Sequence, residues 1–339
     1  MHFDFVSAVD LVRALISIDD DDFTFETIDG EEVLVSKSGD LQVKAWTPLN
    51  SDLCECAALF TRGHMLGSLY QRNETRNELG HYTLLTDENG NYIPTDPPQY
   101  LVPDEGIILS SGNPIHFNMN DRDDMTTQHQ TGGDPDLHHT VNTETPHPNE
   151  HLGASWSVYD ACTLQFEFRC TSEAYVPELS FRYSFGSEEY YEYVHSDFND
   201  VFGFYLNGQN LARIPSTETV SDIVSINNVN YLNNSIYFHG NDPGTGWETE
   251  KPNAPETEVY YPFIEADGFT DILTAYGVPY TDGVSWNTIK LAIGDVGDDI
   301  LDSWVLLESG SFSCVDITMS PSVSSAPSSG EFSYTFWAV

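Results

Sequence analysis

Two short segments of this chain gather oxygen-bearing side chains of the kind that ligate a hard divalent cation. The first is the acidic loop between two strand-like runs at 181–208, which carries Glu188, Glu189, Asn199 and Asp200. The second, GDVGDDILDS at 294–303, carries Asp295, Asp298, Asp299 and Asp302. Its two glycines let the backbone turn tightly and point carbonyls and carboxylates inward. Calcium takes about six to eight oxygens, so one loop rarely suffices and a second segment must contribute. Asp160 joins the candidate set, with Asp134, Asp136 and Asp267 behind it. The cofactor this pattern points to is Ca2+, held by Glu188, Glu189, Asn199, Asp200, Asp295, Asp298, Asp299, Asp302 and Asp160. In a chain with 54 acidic residues, the same clusters also read as solvated turns, because spacing alone does not bring them together.

Paired carboxylates also serve glycoside hydrolysis, where they stand roughly 5 to 9.5 Å apart across the sugar bond. Glu188 and Asp200, with Tyr190, Tyr191 and Trp304 nearby, fit that description loosely. Adjacent Glu188 and Glu189 on a strand point to opposite faces, so only one could meet a substrate. There is no nucleophile elbow or phosphate loop, no catalytic residue is assigned, and the reading is non-enzymatic. His116, His129, His138, His139, His147 and His151 lie at 116–151, but their spacing matches neither HExxH nor a zinc finger. That stretch, rich in Thr, Asn and Pro, reads as a long solvated loop.

The elements that must position these residues are short strands. Phe181, Tyr183 and Phe185 alternate with Arg182 and Ser184, and Phe202, Phe204 and Leu206 with Gly203 and Tyr205, the period of a strand with one face in a core. Further strands are expected at 162–170, 220–226, 236–238, 288–293 and 303–307, and a buried one from 106 that turns sharply at its end. Phe23 to Phe25 and Val33 to Val35 flank an Asp29-Gly30 turn. Ser7 and Asp10 cap a short N-terminal helix at 7–16, with Val9, Val12, Leu15 and Ile16 on its apolar face. Frequent turns leave no room for crossover helices, so the fold class is all-β: a jelly-roll-like β-sandwich with long loop insertions.

Acidic residues number 54 against 12 Lys and Arg, for a formal net charge of -42. Such a surface repels nucleic acid and anionic membranes; it suits solvation in a salty medium or the collection of cations. No run approaches the roughly 18 apolar residues of a membrane span. Five cysteines are too few for a disulfide scaffold. Cys162 and Cys170 share one strand face and lie too far apart to bridge each other. They read as small core residues, or else each needs a partner elsewhere, for which Cys314 is the obvious choice.

The series GIILSSGN (106–113), GDPDLHH (133–139), YDACTLQFEF (159–168), LSFRYSFGSEEYYEY (179–193), NDVFGFYLNG (199–208), VSINNVN (224–230), DGFT (267–270) and KLAIGDVGDDILDSWVLLESGSF (290–312) resembles the choice-of-anchor L domain. The resemblance runs from about residue 7 to 316. It implies an extracellular or cell-surface, adhesin-like β-rich module whose partners are cell-surface or extracellular-matrix components, glycans among them. It carries over no catalytic activity. The alternative is a lectin-like sandwich that binds carbohydrate through exposed aromatics. By that family's pattern, residues 1–318 form the domain, with insertions at about 70–103, 138–158 and 241–262, and 319–339 form a Ser/Pro-rich tail. The N-terminus has no basic start or small-residue cleavage site, so an exported protein implies a longer precursor.

Overall fold

The computed structural model describes residues 2–4, 7–16, 23–37, 39, 41–47, 56–61, 74–76, 82–84, 102–103, 105–118, 125–145, 154–171, 179–215, 222–241 and 264–312. In chain order the strands and helices are β1 (His2–Asp4), α1 (Ala8–Ile16), β2 (Phe23–Ile28), β3 (Glu31–Ser36), β4 (Leu41–Thr47), β5 (Ala57–Thr61), β6 (Glu74–Arg76), β7 (Tyr82–Leu84), β8 (Glu105–Ser110) and α2 (Pro135–Glu144). Next come β9 (Val158–Cys170), β10 (Leu179–Ser187), β11 (Val201–Leu206), β12 (Gln209–Asn210) and β13 (Val224–Ser225). The last are β14 (Phe238–Gly240), β15 (Gly268–Thr270), β16 (Leu273–Gly277), β17 (Asn287–Val296) and β18 (Ser303–Glu308).

Apart from the small β6–β7 ribbon, the strands form two antiparallel sheets, as the alternation predicts. The first runs β1-β5-β8-β18-β10-β15-β14 with β16 also on β10; the second runs β12-β11-β17-β9-β4-β3-β2 with β13 also on β11. Between them lies one continuous core built from alternate residues: Ile107 and Leu109 of β8, Phe181, Tyr183 and Phe185 of β10, Phe202 and Phe204 of β11, and Ile289, Leu291 and Ile293 of β17. β10 and β11 sit in different sheets, so the acidic loop between them crosses from one sheet to the other.

α1 closes one flank, burying Leu11, Val12, Leu15 and Ile16 against β4 of one sheet and β5 and β8 of the other. Its start is capped as expected: Asp10 Oδ2 accepts from the Ser7 N–H and hydroxyl, and the Asp10 N–H points back to Ser7 Oγ. The β2–β3 hairpin turns at Asp29 (φ 55°) and Gly30 (φ 86°), the double left-handed turn that a two-residue loop favours.

Several expectations are corrected. The stretch 116–151 is not one solvated loop, because α2 forms within it. Asp134 caps α2 by accepting from the Asp136 and Leu137 N–H groups, Pro135 occupies the first turn, and Leu137 and Val141 pack on the outer face of the second sheet beside Trp156, Val201 and Tyr205. Residues 235–237 are a 3-10 turn that leads into β14, where a strand is expected from 236. Cys162 is bonded to Cys56, with Cα atoms 5.9 Å apart; Cys56 directly precedes β5, so this bond ties the two sheets together. Cys170 is also disulfide-bonded. Cys314 and the tail at 319–339 lie outside the described residues.

Candidate functional site

Where the core-facing columns reach one end of the sandwich, they change from apolar to polar on six strands. In the first sheet the next alternate position is Ser111 after Leu109, Ser187 after Phe185, and Ser303 before Val305. In the second it is Asp200 before Phe202, Asp295 after Ile293, and Asp160 before Cys162. All six are buried. Three serines of one sheet and three aspartates of the other thus finish at the same end, and Ser303 meets Asp200 directly. Antiparallel pairing makes this a single end, because the columns finish at the C-terminal ends of β8, β10 and β17 and the N-terminal ends of β18, β11 and β9.

The two central aspartates are neighbours whose charges act on each other. Asp200 Oδ1 accepts from the Val296 N–H at 2.9 Å and its Oδ2 from the Ser303 hydroxyl at 2.7 Å. Ser303 N–H in turn donates to Ser111 Oγ at 2.9 Å, and Ser111 lies beside Asp295. Burial pushes the Asp200 carboxyl up to about 7 against the pull of its Ser303 and Val296 donors, with the Asp298 charge raising it further. Asp295 is raised well above the ordinary carboxylate range by burial first, then by the charges of Asp200, Asp302 and Asp160. Glu189 is raised likewise by burial, then by Asp200, Asp298 and Glu192. One oxygen each of Asp295 (Oδ1) and Glu189 (Oε2) is buried without a hydrogen-bond partner.

A second ring of carboxylates is engaged by backbone. Residues 125–131 run over this end as a strap. Its alternate N–H groups donate to Glu188 Oε2 (from Met125, 3.3 Å), Asp302 Oδ1 (from Thr127, 2.6 Å), Asp160 Oδ2 (from His129, 2.8 Å) and Asp160 Oδ1 (from Thr131, 2.6 Å). Asp302 Oδ2 accepts from the Asn113 N–H. Asp302 is pushed up to about 6 by burial, against the Thr127 and Asn113 donors and the nearby His129. Asp160 has a left-handed φ of 41° at a bulge, where Asp160 and Ala161 oppose Gly294 alone and the register with β17 shifts. Gly112 lets the chain pass against Asp302, since a Cβ there would overlap that carboxyl.

The structure therefore brings Glu188, Glu189, Asp200, Asp295, Asp302 and Asp160 to one end. The other candidates are placed differently. Asn199 Oδ1 accepts from the Asn227 N–H. Asp298 is partly exposed, accepts from the Ile300 N–H and lies near Glu189; Asp299 accepts from the Gln128 side chain. Asp134 and Asp136 pair with Lys290 at the start of α2, and Asp267 sits beside β15, where its carbonyl accepts from the Asn241 N–H. Tyr190, Tyr191 and Trp304, the wall of the hydrolase arrangement, are core residues no more than 2% exposed, so they face no substrate cleft. His116 and His129 bond to Thr127 and to the Gly112 carbonyl. The serine row and the strap escape a motif search, but the row has a signal: each serine continues its strand's apolar alternation by one step.

The residues fit a hard cation in chemistry, with carboxylate and hydroxyl oxygens and two buried oxygens that lack partners. Among the described residues, however, no three His, Cys, Asp or Glu side chains already stand as a ready-made metal cage. Serine and backbone oxygens are therefore part of any ligand set here.

Fold and site together define an antiparallel β-sandwich with an acid-and-serine-lined end. The family model of the choice-of-anchor L domain matches residues 82–313, and the chain belongs to that family, whose membership points to a non-catalytic, surface-associated module. No curated protein and no solved structure matches the chain.

Proposed function

We propose that this domain is an extracellular adhesion or structural module, without catalytic activity, whose polar sandwich end is stabilised by calcium. The observation that carries the reading is the row of Asp200, Asp295 and Asp160 opposite Ser111, Ser187 and Ser303, with Asp295 Oδ1 and Glu189 Oε2 unpartnered beside it. Buried carboxylates cost free energy unless something compensates their charge. The lysines and arginines paired in the structure are engaged elsewhere, Lys44 with Glu31, Arg182 with Glu308, Arg213 with Glu144 and Lys290 with Asp134. A divalent cation offers that compensation. An extracellular setting is supported by the disulfide between the sheets, since such bonds persist in oxidising compartments. No helix among the described residues is long and apolar enough to cross a membrane.

Calorimetric titration of chelator-treated protein with calcium chloride tests the reading. Heat of binding accompanied by a raised melting temperature supports it, because a ligand specific to the folded state stabilises that state. No heat and no shift overturn it.

A carbohydrate-binding reading has one observation in its favour. Tyr276 and Tyr280 are 58% and 55% exposed at the β16 edge, with Val278 and Val284 also exposed, and exposed rings are the surfaces on which sugar CH faces stack. Binding on a glycan array that disappears in Tyr276→Ala and Tyr280→Ala is its test.

A further inference from the structure

We propose that residues 331–339 of this chain, EFSYTFWAV, dock as an added strand on the open edge of β16. The edge comes first. Ten large apolar side chains of the described residues are exposed, and four of them crowd into one short stretch: Tyr276, Val278, Tyr280 and Val284, at 55 to 73%. No residue from Ile272 to Thr281 is charged, in a chain whose net charge is -42. β16 pairs with β10 from Leu273 to Gly277, and among the described residues no strand pairs its other edge. In an antiparallel pair every second residue turns its N–H and C=O away from the partner, so this edge offers main-chain groups beside apolar surface.

Sheet edges are ordinarily blunted by charge or by cover, because bare ones recruit further strands. The free edge of the second sheet follows that rule: β2 carries Glu26, and β3 beside it Glu31 and Glu32. β16 has neither protection until Pro279 ends it. A neutral, apolar, unpaired edge on a strongly acidic protein is the surface a neutral extended segment fits.

The occupant follows from pattern and reach. In 331–339, Phe332, Tyr334 and Phe336 alternate with Ser333 and Thr335, and Glu331 is the one charged side chain. That is the period of a strand with one apolar face. β16 alternates in the same sense, with Leu273 and Ala275 buried and Tyr276 exposed. A strand added there continues the apolar column inward and the polar one outward. The flank it would extend is already apolar, since Gly277 lies against Leu206 and Leu211 of the facing sheet. The last described residue, Phe312, has its ring 5.2 Å from that of Phe181, and Phe181 is the strand partner of Ala275. The described chain is therefore about one strand's width from the edge, and residues 313–330 can span up to about 60 Å. A segment tethered on the same chain needs no second molecule to bind, which favours it over a free peptide or another copy.

Hydrogen exchange of the full chain, read by mass spectrometry, tests this. Amides of Leu273–Gly277 should exchange at least about tenfold more slowly than in a chain lacking 331–339, with β9 and β17 unchanged between the two. Chelator should make no difference, because calcium has no part in this contact. Tyr334→Pro and Thr335→Pro keep the chain at full length. Alternate residues of a strand face the same partner, so one of the two removes an N–H aimed at β16 and should speed its exchange as the deletion does. Sedimentation should show a monomer whose protection at β16 is the same at low and high protein concentration. Equal β16 exchange in all four proteins overturns the proposal. Protection that grows with concentration together with a dimer also overturns it, and assigns the edge to a second copy.

Discussion

Raising the pH of chelated protein from about 5.5 to about 8 should destabilise it by at least about 3 kcal/mol, the reverse of what ordinary paired carboxylates do. The folded-state pKa is about 7 for Asp200 and about 6 for Asp302, against an ordinary 3.8, burial being the leading cause in both. The folded protein therefore binds more protons than the unfolded chain across this window, and the stability slope with pH is negative. The contribution is complete below about pH 4, where both states are protonated, and is lost as pH rises through the folded values. At about 1.4 kcal/mol per pH unit and group, Asp200 accounts for about 2 kcal/mol above pH 5.5 and Asp302 for somewhat under 1. Asp295 and Glu189, raised in the same direction, steepen the slope further. Exposed carboxylates are ionised in both states throughout, so they add little. Calcium competes with protons for the same oxygens and should flatten the slope. Urea denaturation followed by tryptophan fluorescence at stepped pH, in chelator and in calcium, measures it, and Asp200→Asn separates its share from the histidines that titrate in the same range. Stability that stays level or rises with pH in chelator, or a slope that Asp200→Asn leaves intact, would refute the argument.

Asp295→Asn should lower the melting temperature in saturating calcium by roughly 5 to 10 °C, the loss of about 2.7 kcal/mol of ligand stabilisation at a hundredfold excess over Kd, and leave it nearly unchanged in chelator; equal losses in scanning calorimetry would assign this acid a metal-free role. Replacing Cys56 and Cys162 together by serine opens a link with a sequence separation of 106 and should cost about 4 to 5 kcal/mol in denaturant titration under non-reducing conditions. Gly112→Ala forces a methyl group into the Asp302 carboxyl and should cost about 1 to 3 kcal/mol by the same measurement. Asp134→Ala removes the cap of α2 and a partner of Lys290; about 1 to 2 kcal/mol should be lost, with faster amide exchange confined to 135–144.

Some of what the structure adds had a local signal. Asp134-Pro135 is an N-cap followed by a proline suited to the first helical turn, but the His, Thr and Asn that follow make a weakly apolar helix, and composition favoured a loop. α2 forms because Leu137 and Val141 find the outer face of the second sheet, a partner no local pattern names. The pairing of Cys162 depended on β5 and β9 lying opposite each other, which the spacing of 106 residues does not encode. The strap had no signal of its own, since its partners are side chains from β9, the turn before β18 and the loop after β10 rather than a neighbouring strand.

Strand alternation was enough to establish an antiparallel sandwich and the faces that its apolar residues take, because a period of two is a local property of each segment. Motif order was enough for the kinship of the chain, and composition for singling out the acidic turns. Which of those turns meet was decided only in three dimensions, by the alignment of two sheets whose strands are far apart in sequence. The same alignment set which carboxyl oxygens accept backbone N–H groups and which, at Asp295 and Glu189, do not, for hydrogen-bond occupancy belongs to the packed end as a whole and not to any one segment.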